Sequence, residues 1–315
     1  MPPSFAHQIT KYDPADRDEH GYYNGAEDTV SDHGPVEAAY LEAIAAFARA
    51  AGIHTLAIRE PHITGFVNFG LEEPIEGHGL AGLFPPDLTG YYDGAEVSLP
   101  VALELVRAML RDHGAWCRLE REDTFTIHVG WDQSLYVSSD RPCDAAVAQT
   151  RELGLFAQPI TASPYAADLE EPEVTEAADE DFWERVRAEL ASPQTLLLEE
   201  TYVRNATRWH NLTESNLDTV RSVLGPRALL TIWPGLSPDV DAVLAALPAD
   251  ASMDVVWEEA NGTIRHVTID ETDHQLATLV AGAKAACSLP LILDERHPLF
   301  HAALPDSDGV LRARW

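Results

Sequence analysis

Three runs between Ala115 and Asp140, AWCRLERE, TFTIHVGWD and SLYVSSD, alternate apolar with polar side chains and are separated by turn residues. Successive side chains of an extended chain point to opposite faces, so a period of two specifies strands, and short turns between them specify an antiparallel meander. Helical patterns surround it. PVEAAYLEAIAAFARAAG (35–52) has proline in its first turn, apolar residues at helical spacing and a terminal glycine, and LPVALELVRAMLRDHG follows later. HTLAIRE and GFVNFG read as short strands, residues 71–97 as an ordered Gly/Pro-rich loop, and CDAAVAQTRELG as a closing helix.

The stretch TASPYAADLEEPEVTEAADED combines prolines with an acidic run and little apolar periodicity, the composition of a solvated linker. Beyond it the pattern alternates: FWERVRAEL helical, TLLLEETYV extended, ESNLDTVRSVLG helical, RALLTIWPG extended. SPDVDAVLAALP reads as a helix with Ser237 as N-cap and Pro238 at its first position. MDVVWEEANGTIRHVTID reads as a hairpin turning at Asn261-Gly262, HQLATLVAGAKAAC as a helix and LPLIL as a strand. The expected fold is therefore mixed, α+β to α/β, with a partly parallel sheet. Residues 1–160 form an α+β domain with a polar N-terminal arm, 161–180 a linker, and 181–315 an α/β domain with a C-terminal tail.

At 315 residues two domains are the natural expectation. The 52 acidic residues outnumber the 21 basic ones, for a formal net charge of −31. Such a surface repels phosphate backbones and favours basic protein partners or plain solubility. Apolar runs are too short to span a bilayer, and the N-terminus lacks a basic start followed by an apolar core, so a cytoplasmic protein without a membrane partner is expected. Three dispersed cysteines, Cys117, Cys143 and Cys287, fit reduced thiols rather than a disulfide framework or zinc cluster.

DRDEHGYYNGAE (16–27) places Asp16, Asp18, Gly21 and Glu27 at the spacing of a calcium-binding loop, with the Tyr22 carbonyl as a further oxygen. His20 stands where an oxygen ligand is usual, and no amphipathic entering helix precedes the loop, so Asp16, Asp18 and Glu27 make a weak metal site. No cofactor is expected beyond that weak calcium candidate. The same segment is rich in aromatic and charged side chains, including Lys11, Tyr12, Arg17, Tyr22 and Tyr23. It lies either against its own domain through Tyr12 and Tyr22, or against a partner as an interaction arm. YVRNATRWHNLT carries the one basic, aromatic cluster, Arg204, Arg208, Trp209 and His210. It suits an anion or RNA contact, or alternatively ion pairs from Arg204 and Arg208 to Glu199 and Glu200 at the surface. His78 sits between glycines in EGHGLAG as an isolated turn residue. No nucleophile elbow, phosphate loop or close histidine pair completes a catalytic set, which favours a non-enzyme.

Several stretches together, ITKYDPADRDEHGYYNGAEDTVSDHGPVEAAYL, GHGLAGLFPPDLTGYYDGAEV, RAMLRDHGAWCRLE and ALPDSDGVLRARW, resemble the N-terminal region of high-GC bacterial proteins described as RNA-binding. In longer members of that family an S1 domain follows the segment matching VLRARW, where this chain stops. The resemblance implies a module that accompanies an S1-type RNA-binding system, with the appended barrel carrying RNA recognition. The opening KYDP…RD…G.Y is also similar to small immunity-type proteins encoded near toxins. That likeness implies an alternative function, an acidic inhibitor masking a basic toxin or nucleic-acid-binding protein. A divalent-metal-dependent hydrolase using Asp16, Asp18 and Glu27 ranks third. RNA is reached only through the local cluster or an appended domain.

Overall fold

A computed structural model describes residues 3–20, 22–26, 31–66, 78–164, 176–191, 194–248, 252–269, 276–291 and 295–313. The fold is a mixed α and β architecture, and its sheets are antiparallel. Two compact units divide the chain within the stretch expected as a linker. The first takes the described residues up to 164 together with Val203–Ala206, and the second takes the other described residues from 176 onward.

The first unit is built on one seven-stranded sheet. Its strands are β1 (Phe5–Thr10), β2 (Thr55–Phe66), β3 (Glu96–Ser98), β4 (His113–Arg121), β5 (Phe125–Val129), β6 (Leu135–Ser139) and β7 (Phe156–Ile160), in the order β3-β2-β4-β5-β6-β1-β7. The expected meander is β4-β5-β6. HTLAIRE and the start of GFVNFG join into one long strand, bulged twice against β4, while residues 67–70 lie outside the described ones. FAHQIT, read as part of the polar arm, is instead an interior strand between β6 and β7.

Alternation sends Ala115, Cys117 and Leu119 of β4, Phe125, Ile127 and Val129 of β5, and Leu135 and Val137 of β6 into the core. Helices α1 (Pro35–Ala51), α2 (Leu99–Leu110) and α3 (Asp144–Glu152) pack on that face. α1 begins with Pro35 and ends where Gly52, at φ 74°, takes the left-handed conformation that closes a helix. It buries Tyr40, Leu41, Ile44, Phe47 and Ala48, a stripe at helical spacing.

Glu37 on the first turn of α1 is also buried, where it accepts hydrogen bonds from Arg107 Nε (2.7 Å) and Arg111 Nε (2.5 Å). Burial by itself raises the Glu37 carboxyl, but the hydrogen bonds and charges of Arg111 and Arg107 outweigh it and hold the pKa below the ordinary value. A depressed folded-state pKa stabilises above the unfolded value of about 4.3, and that contribution fades as pH falls through the folded value. Glu37→Gln is accordingly expected to cost about 1–3 kcal/mol at pH 7. Its difference from the parent in urea midpoint should shrink as pH falls below about 4. A difference that persists unchanged at acid pH contradicts this account.

β7 closes one edge of the sheet. Pro159 has no N–H to offer a further strand, and Arg151 Nη2 donates to the Ala157 carbonyl at 3.3 Å.

The second unit contains two sheets. One is β14-β10-β8-β9, formed by β8 (Leu196–Val203), β9 (Ala206–Leu212), β10 (Leu229–Pro234) and β14 (Phe300–Ala303). The other is β12-β11-β13, formed by β11 (Met253–Glu258), β12 (Ile264–Ile269) and β13 (Ala285–Pro290). They face each other through Leu197, Trp209, Trp233, Val256 and Leu289. α6 (Val240–Ala245) and α7 (Leu276–Leu279) cover Met253, Val255 and Trp257 on the far side of the smaller sheet. α4 (Glu180–Leu190) turns Phe182 toward Phe300 of the larger one, with ring centroids 6.5 Å apart. The Asp179 side chain caps α4 at the Phe182 amide, 3.1 Å away.

The expected parallel pairing is absent from the ladders between these strands. The chain passes from β10 through α6 into the other sheet, and the path from β9 through α5 (Leu217–Arg221) to β10 steps over β8, so like-directed strands never become neighbours. Three local readings also change. The Ser237 backbone exchanges 2.8 Å hydrogen bonds with Ala286, so Asp239, not Ser237, caps α6 by accepting from the Ala242 amide at 3.0 Å. Among its described residues, HQLATLVAGAKAAC is helical only over Leu276–Leu279. Gly282, at φ 80°, then turns the chain, and Ala285–Cys287 already belong to β13. Residues 176–178, taken as linker, join the second unit, where Ala178 N–H donates to Ala303 O at 2.9 Å. The Asn261-Gly262 hairpin forms β11–β12.

No helix among the described residues is long and apolar enough to cross a membrane.

Candidate interaction surface

The N-terminal arm leaves β1 at Thr10, the end of the sheet where Leu135 of β6 pairs with Ile9 and Phe156 of β7 pairs with Thr10. The Lys11 amide donates to the Tyr40 hydroxyl at 2.7 Å, and the Lys11 ammonium pairs with Asp32. The Tyr12 ring packs on Tyr23 with centroids 4.7 Å apart, and Arg17 bridges Tyr23 through the backbone. Tyr12 and Tyr23, rather than Tyr12 and Tyr22, therefore make the packed aromatic pair, and Tyr22 stands 71% exposed.

The carboxylates of this segment organise the loop itself. Asp18 Oδ1 accepts from the amides of His20 (2.8 Å) and Tyr22 (2.9 Å), and Asp13 Oδ1 accepts from Ala15 (2.9 Å). Asp16 lies in a single 3-10 turn, Pro14–Asp16. Gly21 and Glu27 of the calcium pattern lie outside the described residues. Among the described residues no group of three or more His, Cys, Asp or Glu side chains converges as a metal would require.

A residue that sequence reasoning passed over dominates the same end of the sheet. Trp131, in the β5–β6 turn, is 86% exposed. The turn presenting it is well tied. Ser134 N–H donates to Trp131 O (2.9 Å), Gly130 N–H to Ser134 O (2.8 Å), and Gln8 Nε2 to the Ser134 hydroxyl (3.2 Å). The available signal was its place in GWDQS, a turn where no core position needs an indole. Beside the arm a hollow of about 370 Å³ runs between Pro14, Arg151 and the chain from Gly154 to Gln158.

The face of the sheet opposite the helices carries a row of rings, His62, Trp116, His128 and Tyr136. Their neighbouring centroids lie 5.5, 5.1 and 6.2 Å apart in that order. Burial, reinforced by Arg204, lowers His62 to about 4, and burial with Arg118 lowers His128 to about 3, so both imidazoles are neutral at physiological pH. The Trp116 indole N–H is committed to Val129 O at 2.9 Å. Arg59 binds Glu120 (2.7 Å) and Asp93 (3.3 Å), and Arg118 pairs with Glu60. Burial pushes the Cys117 thiol up to about 12, away from the thiolate a nucleophile needs.

The basic cluster is divided. Arg204 belongs to the first unit, where its backbone exchanges 2.9 Å hydrogen bonds with Pro61 and Ile63. On β9, alternation sends Trp209, 9% exposed, into the layer between the two sheets of the second unit. Arg208 and His210 point to the other side, toward Glu200. That carboxylate is fully buried, with His210 Nε2 at 2.7 Å, the Gly225 amide at 2.6 Å and Arg208 Nη1 at 3.6 Å. Arg208 also stacks on Tyr202, 3.9 Å from the ring centroid. Glu199, on the opposite face of β8, accepts from Trp233 Nε1 (2.8 Å) and Arg296 Nη2 (2.9 Å). Burial raises its pKa, with those two partners opposing the shift. No family model, curated protein or solved structure matches the chain.

Proposed function

We propose that the chain is a non-catalytic, cytoplasmic interaction module that holds a protein partner within an S1-type RNA-binding system, with RNA contacted by the S1-bearing component. The observation that carries this reading is the pair of exposed aromatics, Trp131 and Tyr22, held on well-tied turns at one end of the first unit's sheet. Tryptophan and tyrosine are enriched among the few residues that carry most of the affinity at protein interfaces, where a large rigid ring loses little conformational freedom on docking. Support also comes from the inward use of reactive groups. His62 and His128 are neutral, the Cys117 thiol is protonated, and Arg208 and His210 are turned to Glu200.

The test is quantitative affinity purification from the native cell, comparing the parent chain with a Trp131→Ala/Tyr22→Ala double variant. At least one protein should fall about tenfold or more in the variant, the size expected from losing an interface anchor. An unchanged set of co-purifying proteins removes the reading. Its acidic exterior favours a second version, in which the partner is a basic toxin that the chain masks. Inhibition of the captured protein's activity by the purified chain separates that version from the first.

A further inference from the structure

We infer that the end of the first unit's sheet docks an arginine-rich segment of the protein partner, with Trp131 as its anchor. This inference deepens the reading above and rests on it. The chain already seats three of its own arginines over aromatic rings. Arg208 lies over Tyr202 (3.9 Å) and beside Glu200 (3.6 Å). Arg221 lies over Trp183 (4.8 Å) and bonds Glu180 (2.6 Å). Arg296 lies over Trp233 (4.9 Å) and bonds Glu199 (2.9 Å). In each case a planar guanidinium lies over a ring's electron-rich face with a carboxylate beside it, hydrogen-bonded to Arg221 and to Arg296 and in ion-pair contact with Arg208.

The arm end of the sheet holds the same two ingredients facing outward. Trp131 and Tyr22 offer rings, and Asp16, Asp18 and Glu19 are exposed on the arm. Glu152, exposed at the end of α3, precedes the turn into β7 at that end. Of the cations there, the Lys11 ammonium pairs with Asp32, Arg151 bonds the Ala157 carbonyl, His20 lies 3.7 Å from Glu19, and Arg17 sits on the arm between Asp16 and Asp18. The backbones that carry both rings are tied, Trp131 by the Gly130–Ser134 turn and Tyr22 by Asp18, so binding has to order little more than the side chains. A nucleic acid would stack a base on Trp131 but bring its phosphates against these carboxylates, which repel them. Lysine carries the charge without the plane and is more strongly hydrated, so arginine is the better occupant.

The experiment titrates the full chain with fluorescently labelled nona-arginine, nona-lysine and a single-stranded oligouridine, reading anisotropy. Trp131→Ala, with fold checked by circular dichroism, is expected to weaken nona-arginine about tenfold, and Glu19→Gln by a smaller factor. Nona-lysine should bind the parent chain more weakly than nona-arginine, and added salt should weaken both. If Trp131→Ala binds nona-arginine like the parent, attraction is diffuse and the inference fails. Oligouridine binding that depends on Trp131 also overturns it, in favour of a nucleic-acid surface. A native partner that requires Trp131 while nona-arginine ignores it leaves the interaction module standing and removes only the arginine-rich segment. Loss of both removes the module reading as well.

Discussion

Replacing Glu200 with alanine is expected to destabilise the second unit by about 3 kcal/mol, the low end of the cost of breaking a buried ion pair, because the carboxylate is buried and its partners are only partly so. The carboxylate has no solvent exposure, and three groups depend on it: the His210 ring, the Gly225 amide and the Arg208 guanidinium. Alanine leaves the Gly225 amide without this acceptor and takes the Glu200 charge away from the partly exposed Arg208. Glutamine keeps an oxygen for Gly225 but removes the charge, so Glu200→Gln should lose less, about 1–3 kcal/mol. Urea denaturation of both variants at pH 7 measures the difference. A loss under about 1 kcal/mol for the alanine variant would mean the cluster closes over the gap or hydrates, contrary to this account. The same result bears on RNA. If Arg208 serves the core, Arg208→Ala should cost stability before it costs any nucleic-acid retention.

Tyr40→Ala should weaken the first unit by about 3–5 kcal/mol through the cavity it opens. The ring is fully buried on α1, and its hydroxyl accepts the Lys11 amide at 2.7 Å. Tyr40→Phe separates the two roles, since it fills the cavity but strands that amide, for about 1–3 kcal/mol. Burial raises the Tyr40 pKa, so the hydroxyl stays protonated across the physiological range. Hydrogen exchange provides the second readout. Amides of residues 11–13 should lose protection in Tyr40→Phe more than those of β4, because the hydroxyl ties the arm to α1. Protection of residues 11–13 unchanged from the parent in Tyr40→Phe would show that the arm is held by Tyr12, Tyr23 and Asp32 instead.

The meander was readable because one face of β4, β5 and β6 is buried and the other is polar, so alternation survives in the letters. α1 was readable from Pro35, its stripe and Gly52. β1 was not, since FAHQIT offers only Phe5, Ala6 and Ile9 as apolar positions, and its strand character comes from two neighbours distant in sequence. The second unit misled through local resemblance. A helix between strands suggests a parallel crossover, yet here it carries the chain to a different sheet, and nothing local records that choice. The basic cluster read as one patch because Arg208, Trp209 and His210 are consecutive; strand geometry turns the middle one away from the other two. Trp131 was overlooked for the opposite reason. A lone aromatic in a turn has no periodic partner, and only its exposure singles it out.

The finish of β7 bears on how copies of this chain behave at high concentration. Pro159 and the Arg151-capped carbonyl of Ala157 interrupt on that border the alternating donors and acceptors that a stacking polymer copies from one molecule to the next. Fibrils templated from this side are thereby disfavoured.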